Sequence, residues 1–420
     1  MEYKQTNTFV HFLTLIYDTF KFLFVTSSLQ DLNAAYEILY KDISVKSEAT
    51  FFIKLVNKLY SLIKFSPIYK PDKPKYLLFS ETVNGKNTLK NLVDGLRPES
   101  LALLDSCYII RNSILLLPLG LVLYIKSILR SDKRHIIDLV VGWRNQIHAS
   151  HKIIAATILI AYYDPKVIIV SNDHSPAARA MLRFGNFLGK ETVYIPHSMI
   201  TRRFPKLIAS YNFLDGDVMW AQYGKTADVG CSVVLSGPVR MPSKYSKPNV
   251  RNTNNQNLVL GLCLNQLDDE KKVEKLISIL LEIEELDKII VRLHPNQHIA
   301  SFSIPISKKV SLSVVDENIF EFIQRVDIIL AGETAVHYDA LLLNRKSFYY
   351  QFSSHYLDHY DFIKDGLVEI FQMEFLRNFK PTSTARVHLS QRFSPDTIVI
   401  NAIKSSFKNI EVSNDRIYRF

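Results

Sequence analysis

With 420 residues, 47% of them hydrophobic and 22% charged, the chain is long enough for more than one core and too evenly mixed for a disordered or multispanning membrane protein. Its formal net charge of +10 favours anionic partners such as sugar nucleotides, acidic lipid headgroups or nucleic acid. The cations are scattered, with no arginine-rich arm, finger spacing or basic stripe on one helix, which argues against nucleic acid. Cys107, Cys231 and Cys263 show neither metal nor redox spacing and read as buried, reduced thiols. The first residues lack a cleavable secretion pattern, so the expected compartment is the cytoplasm.

Through residues 1–70, aromatic and aliphatic residues recur among Lys, Asp and Glu at near-helical spacing, which predicts a helical extension or cap. Residues 76–79 read as a first buried strand ending at Ser80-Glu81-Thr82, and Asn84-Gly85 as a turn. Residues 101–110 fit strand and helix equally. The apolar run 114–125 is shorter than the roughly 20 residues that cross a bilayer and reads as a buried helix. A second reading takes it with Lys126, Arg130, Lys133 and Arg134 as a basic amphipathic patch at the inner face of a bacterial inner membrane. Residues 136–161 read as helices leading to the next strand.

That strand, Val167–Val170, is continuously apolar, as a parallel strand covered on both faces must be. It runs straight into Ser171-Asn172-Asp173-His174-Ser175-Pro176, and the carboxyl end of such a strand is where open α/β sheets place ligands. Arg179 lies about a turn into the following helix, facing the same crevice. A plainer role for Asp173 or Ser175 is to cap that helix, with Pro176 at an early helical position. After helix 177–188, strand 192–195 ends in Pro196-His197-Ser198, so two strand ends deliver His174 and His197 to one sheet edge. Residues 212–220 suggest a further strand and turn, and 231–235 with Ser236-Gly237-Pro238 close the first block. Residues 244–256, rich in Asn, Lys, Pro and Ser, form a linker.

The second block repeats the pattern: strand 258–264, charged helix 268–285, strand 288–293 ending at His294-Pro295, helix 318–323, strand 327–331 ending at Gly332-Glu333-Thr334, helix 335–343 and strand 346–350. An aromatic loop at 351–360 and terminal helices follow. The expected organisation is an extension at 1–70, a first α/β domain at 71–243, a second at 257–394 and a tail at 395–420 that packs beside them or crosses back. The two α/β domains are expected to face one another across a cleft. A Walker lysine motif and a Gly-x-Gly-x-x-Gly fingerprint are absent, which argues against ordinary ATPase or NAD chemistry. His337, Asp339, His355, Asp358 and His359 repeat no ligand spacing, so no metal is expected.

Taken together, Ser171-Asn172-Asp173-His174, Tyr194-Ile195-Pro196-His197-Ser198, strand-end His294-Pro295, and Gly332-Glu333-Thr334 before a helix with Leu341-Leu342-Leu343-Asn344-Arg345 resemble bacterial two-domain glycosyltransferases of capsule and lipopolysaccharide synthesis. The likeness is greatest to those using cytidine-activated donors, the sialyl-, Kdo- and pseudaminyl-transferases, and extends to the CDP-glycerol and CDP-ribitol phosphotransferases. The resemblance implies a GT-B-type pair of Rossmann-like domains, a CMP-activated acidic nonulosonic sugar as donor, a glycan acceptor, inversion, and no metal or other cofactor. His294, beside Pro295, is then the phosphate contact. Glu333 would accept ribose hydroxyls, while Thr334 and the helix N–H groups after Gly332 would meet phosphate. For the base, Asp173 with His174 holding it competes with His197, whose neutral imidazole suits a polyol-phosphate transferase. Arg179, Arg202 and the neighbouring Ser198 are candidates for a donor carboxylate or the acceptor. A non-catalytic glycan- or anion-binding protein is the remaining alternative.

Overall fold

In a computed structural model, the structure describes residues 17–19, 21–23, 74–96, 101–105, 117–130, 143–242, 245, 258–266, 268–294, 297, 307–314, 317–353, 358–377, 395–408, 410, 412 and 414–420. These fall into two compact units. Unit 1 takes the described residues within Met1–Ser198, Arg203–Arg240 and Pro395–Phe420, and unit 2 those within Met199–Arg202 and Met241–Ser394. The linker expected at 244–256 lies outside the described residues except Tyr245, as do most of residues 1–70 and Cys107.

Unit 1 runs β1 (Tyr76–Ser80), α1 (Val83–Leu96), β2 (Leu101–Asp105), α2 (Leu117–Arg130), α3 (Trp143–Tyr163), β3 (Val167–Val170), α4 (Pro176–Phe187), β4 (Glu191–Tyr194), β5 (Tyr211–Leu214), α5 (Asp217–Gln222) and β6 (Ser232–Leu235). Unit 2 continues with β7 (Leu258–Cys263), α6 (Glu270–Leu281), β8 (Leu286–Arg292), β9 (Val310–Leu312), α7 (Ile319–Arg325), β10 (Ile328–Ala331), α8 (Val336–Leu342), β11 (Lys346–Tyr349), β12 (Glu369–Ile370) and α9 (Glu374–Arg377). The chain then returns to unit 1 through α10 (Pro395–Lys404) and β13 (Ile417–Arg419). Both units are α/β, with Rossmann-like parallel sheets.

The first sheet has the order β13-β6-β5-β4-β3-β1-β2, parallel except for β13, which pairs antiparallel with β6. Its parallel strands are four or five residues long and nearly all buried, because helices cover both faces. The strand order changes direction between β1 and β3, which places a switch point at Ser80 and Ser171. The second sheet, β12-β11-β10-β7-β8-β9, is parallel throughout and switches between β7 and β10. Its core packs Leu260 and Leu262 of β7 and Leu330 of β10 against Val273, Leu276, Ile277 and Leu280 of α6. Those four recur at helical spacing, and Asp269 caps the helix by accepting the Lys272 N–H at 3.0 Å.

Two expectations are corrected. Asn84-Gly85 is no turn but the first turn of α1. A Cβ on Gly85 would come within 2.2 Å of the Ser80 hydroxyl and 2.3 Å of the Ser171 hydroxyl, so glycine is there to let the helix approach the strand ends. The apolar run expected to be a buried helix is helical in α2 but only half buried: Leu123 and Tyr124 pack inward while Leu121, Val122, Ile125 and Leu129 are exposed. No helix among the described residues is long and apolar enough to cross a membrane.

Candidate functional site

At the carboxyl edge of the unit 1 sheet, β3 ends at Val170 and the chain turns sharply after Ser171. Asn172 makes the turn, its side-chain oxygen accepting the N–H groups of His174 at 2.9 Å and Ser175 at 3.1 Å. Ser175 then caps α4 by accepting the Ala178 N–H at 3.3 Å, with Pro176 at the first helical position. Asp173 is therefore not the cap. Its side chain points into the unit, 1% exposed, where Oδ2 accepts a hydrogen bond from the Tyr223 hydroxyl at 2.7 Å. Tyr223 also lies 3.1 Å from the Tyr194 hydroxyl. Burial, then the Asp173 carboxylate, pushes both phenols well above their usual pKa, so they remain protonated donors.

His174 occupies the outer side of the same turn, with its ring 4.5 Å from that of Phe204. Its Nδ1 is 3.6 Å from Asp173 Oδ1, and neither atom has a hydrogen-bond partner among the described residues. Its Nε2 lies 3.4 Å from the Asn172 amide nitrogen, which can only donate. That contact favours the tautomer carrying its proton on Nδ1, facing Asp173. At the end of β4, His197 Nδ1 lies 2.6 Å from the Ser171 carbonyl. A carbonyl only accepts, so Nδ1 carries the proton and Nε2 the lone pair. Burial lowers the His197 pKa to about 4 against the opposing Ser171 bond, with His174 and Arg240 lowering it further. This imidazole is neutral at pH 7.

Three further placements bear on the expected site. Arg179 is fully buried and donates to the Asp173 carbonyl at 3.2 Å, which bolts the strand-end turn from inside. Arg202 Nη2 donates to both carboxylate oxygens of Asp365, at 2.6 and 2.7 Å, and its Nε forms an ion pair with Asp361 at 3.1 Å. Ser198 follows His197 and is partly exposed. The buried pair Asp215 and Arg240, 2.8 Å apart just beyond β5 and β6, belongs to the same sheet edge but was not anticipated. A carboxylate immediately after a strand, Leu214-Asp215, was the available signal.

Unit 2 builds its edge from β7, β8 and β10. Asn265, beyond β7, donates from its side chain to the Glu333 carbonyl beyond β10, spanning the switch point. Gln297 donates to the Asn265 carbonyl at 2.7 Å and accepts the His294 N–H at 2.8 Å, drawing the loop after β8 into the same cluster. Pro295 lies outside the described residues. Gly332 leaves room for Asp268, whose Oδ1 would be 2.9 Å from a Cβ there. Burial raises Asp268 to about 6, opposed by the Asn265 N–H, which its other oxygen accepts at 2.6 Å. Glu333 is raised to about 7, by burial and then by Asp358, while the N–H groups of His359 and Tyr360 pull it the other way. His294 is lowered by burial. Thr334 accepts the Val336 N–H at 3.3 Å, two residues ahead of the short helix α8. Asn265, Asp268 and Gln297 carry no spacing pattern and emerge only when three strand ends are brought together.

His337, the second residue of α8, is buried between Ser347 and Gly332. The Gly332 carbonyl, 2.9 Å away, accepts from Nε2–H, and Nδ1 accepts from the Ser347 hydroxyl at 2.6 Å. This pins the turn that carries Glu333. Burial lowers the His337 pKa to about 4.

No protein-family model and no curated protein matches the chain. Among solved structures it is similar to UDP-GlcNAc 2-epimerase from Methanocaldococcus jannaschii, at 12% identity and a TM-score of 0.46, covering 78% of this chain and 99% of that one. It is also similar to an S. aureus MnaA-UDP co-structure, at 12% identity and a TM-score of 0.45, covering 79% and 96%. A third similar structure is the glycosyltransferase SnogD from Streptomyces nogalater, at 11% identity and a TM-score of 0.40, covering 71% and 86%.

Proposed function

We propose that the chain is an inverting glycosyltransferase that uses a nucleotide-activated sugar, with the acceptor activated in unit 1 and the nucleotide held at the switch point of unit 2. The observation that carries this is the pair Asp173 Oδ1 and His174 Nδ1, 3.6 Å apart and otherwise unpartnered among the described residues. In this reading His174 Nε2 gives up its long 3.4 Å contact with the Asn172 amide and takes the proton of the acceptor hydroxyl. The freed oxygen pair forms the new bond to the anomeric carbon, and the bond from that carbon to the donor phosphate breaks, its electrons leaving with the nucleotide. The imidazolium formed is stabilised by the buried Asp173 carboxylate, which Tyr223 holds in place. The distance exceeds a hydrogen bond, and such contacts tighten when substrate binds. This exchanges the roles expected from the sequence, because a carboxylate 1% exposed is poorly placed to meet an acceptor. In unit 2, His294 meets phosphate and Glu333 the ribose.

The cytidine-activated acidic donor is the finer form of the proposal, supported by the strand-end resemblance and the charge of +10. Its carboxylate would have to compete with Asp361 and Asp365 for Arg202, since Arg179 is enclosed. The test is a panel of CMP-, CDP-, UDP- and TDP-activated donors with glycan acceptors, read by product mass and run on wild type, Asp173→Asn, His174→Gln and His197→Gln. Sugar transfer is expected, with kcat down roughly 100-fold or more in the first two variants and donor KM little changed. Near-normal turnover by both would overturn the assignment. Polyol-phosphate transfer lost only with His197→Gln would move the base to His197 and the protein to the CDP-polyol class. No donor consumed would favour a binding protein.

A further inference from the structure

Helix α2 presents an apolar face that the fold of unit 1 does not explain. Pro118, Leu121, Val122, Ile125 and Leu129 are spaced by three or four residues and form one stripe along the helix. All five are exposed, Val122 by 51%, Ile125 by 47% and Leu129 by 80%. The opposite side is the packed one: Leu123 and Tyr124 are buried, and Gly120 lies so close to α3 that a Cβ would be 3.1 Å from the His151 backbone nitrogen. A surface helix ordinarily turns polar residues to water, yet here both faces are apolar.

The charge pattern indicates what meets the outer face. The helix sequence contains no acidic residue, carries Lys126 and Arg130, and is followed in the chain by Lys133 and Arg134 with Asp132 as the single acid among them. Lys126 donates to the Leu23 carbonyl at 2.8 Å while keeping its positive charge beside the stripe. A second copy of the chain would bring the same excess of cations to the contact, whereas an anionic surface neutralises it. At 14 residues the helix is about 21 Å long, too short for a hydrocarbon core of about 30 Å, so it suits lying in the interface rather than crossing it.

We infer that the outer face of α2 docks unit 1 onto an anionic phospholipid bilayer, with Leu121, Val122, Ile125 and Leu129 entering the headgroup boundary and Lys126 beside them adding attraction to the lipid phosphates. This inference is independent of the transferase reading. The test is sedimentation of the full chain with vesicles of phosphatidylcholine containing phosphatidylglycerol, compared with phosphatidylcholine alone. The wild type should bind the anionic vesicles, bind the neutral ones far less, and release as salt rises. The combined variant Val122→Gln, Ile125→Gln and Leu129→Gln should bind about tenfold or more weakly with an unchanged melting temperature. Val229→Gln, at a 95% exposed site elsewhere on unit 1, should bind as wild type does. Amide exchange of the wild type should slow across 117–130 only with anionic vesicles, a readout that does not depend on the variant folding. No binding by the wild type, or equal binding by the triple variant, overturns the inference. So does a concentration-dependent dimer lost in the triple variant without any lipid binding, which would make a second copy the occupant. A large drop in melting temperature without lipid binding by the wild type would assign the face to another segment of this chain, and also overturns it.

Discussion

The two switch points are furnished in opposite ways. In unit 1 the chain fills its own crevice: α1 drives Gly85 against the hydroxyls of Ser80 and Ser171, and Asp173 and Arg179 are buried beside it. In unit 2 the corresponding place, between β7 and β10, is lined by Asn265, Asp268 and Glu333, which stay partly exposed. Two of these are carboxyl groups held near neutral pKa by desolvation, an arrangement that a bound polar ligand would relieve and that a purely structural core rarely tolerates. Unit 1 is therefore closed at this edge by its own side chains, whereas unit 2 leaves polar groups partly open to solvent. The proposed allocation of the acceptor to unit 1 and the nucleotide to unit 2 rests on this difference.

Adding a methyl group at each switch point should separate the two units most strongly. In Gly85→Ala the new Cβ meets two hydroxyls on short side chains at 2.2 and 2.3 Å, so either the helix or the strand ends must shift. A loss of about 1–3 kcal/mol in unfolding free energy is expected from denaturant titration. In Gly332→Ala the nearest atom is the Asp268 carboxylate at 2.9 Å, followed by the Phe352 ring at 3.2 Å. The carboxylate can swing away, so stability should change less while nucleotide affinity, measured by calorimetry, falls more. Equal stability losses with unchanged affinity would show that unit 2 is as closed as unit 1.

A smaller effect should come from Glu333→Gln. The folded-state pKa of Glu333 is about 7, above its ordinary value of 4.5, so folding favours the protonated form. The resulting stability is present below pH 4.5 and is lost as pH rises toward 7, because the unfolded chain ionises first. Glutamine stays neutral, so the variant should gain melting temperature at pH 8 and gain less at pH 5. A gain that does not depend on pH would mean that ionisation of Glu333 is not penalised in the folded chain.

Much of this architecture is visible in the sequence because buried parallel strands must be apolar throughout. Val167–Val170 and Ile328–Ala331 announce themselves, and the polar residues just after them are where the two edges lie. The short strands are silent: β9, β12 and β13 are two or three residues long and partly or fully exposed, so no apolar run marks them. Asn84-Gly85 misleads because the same glycine that permits a turn also permits close helix packing, and only the positions of Ser80 and Ser171 decide between them. Arg179 misleads for a related reason. Helical periodicity places it toward the crevice, but not whether its guanidinium reaches a ligand or, as here, stops at the Asp173 carbonyl.

Arg202 provides the mildest test and the one most specific to the donor. Its side chain is 41% exposed and paired with Asp361 and Asp365, whose side chains are 19% and 29% exposed. Exposed pairs contribute little because water screens them and two long side chains must be held still, so Arg202→Ala should cost less than about 1 kcal/mol of stability. Its effect on transfer separates the donor classes. If an acidic sugar is used and Arg202 exchanges its aspartates for the donor carboxylate, KM for that donor should rise severalfold while kcat is nearly unchanged, because carboxylate binding is the same in ground and transition states. With a neutral sugar the KM should not move. An unchanged KM for a CMP-activated acidic donor that wild type turns over would remove Arg202 from carboxylate recognition, leaving it the narrower task of tying its segment to the loop at 361–365.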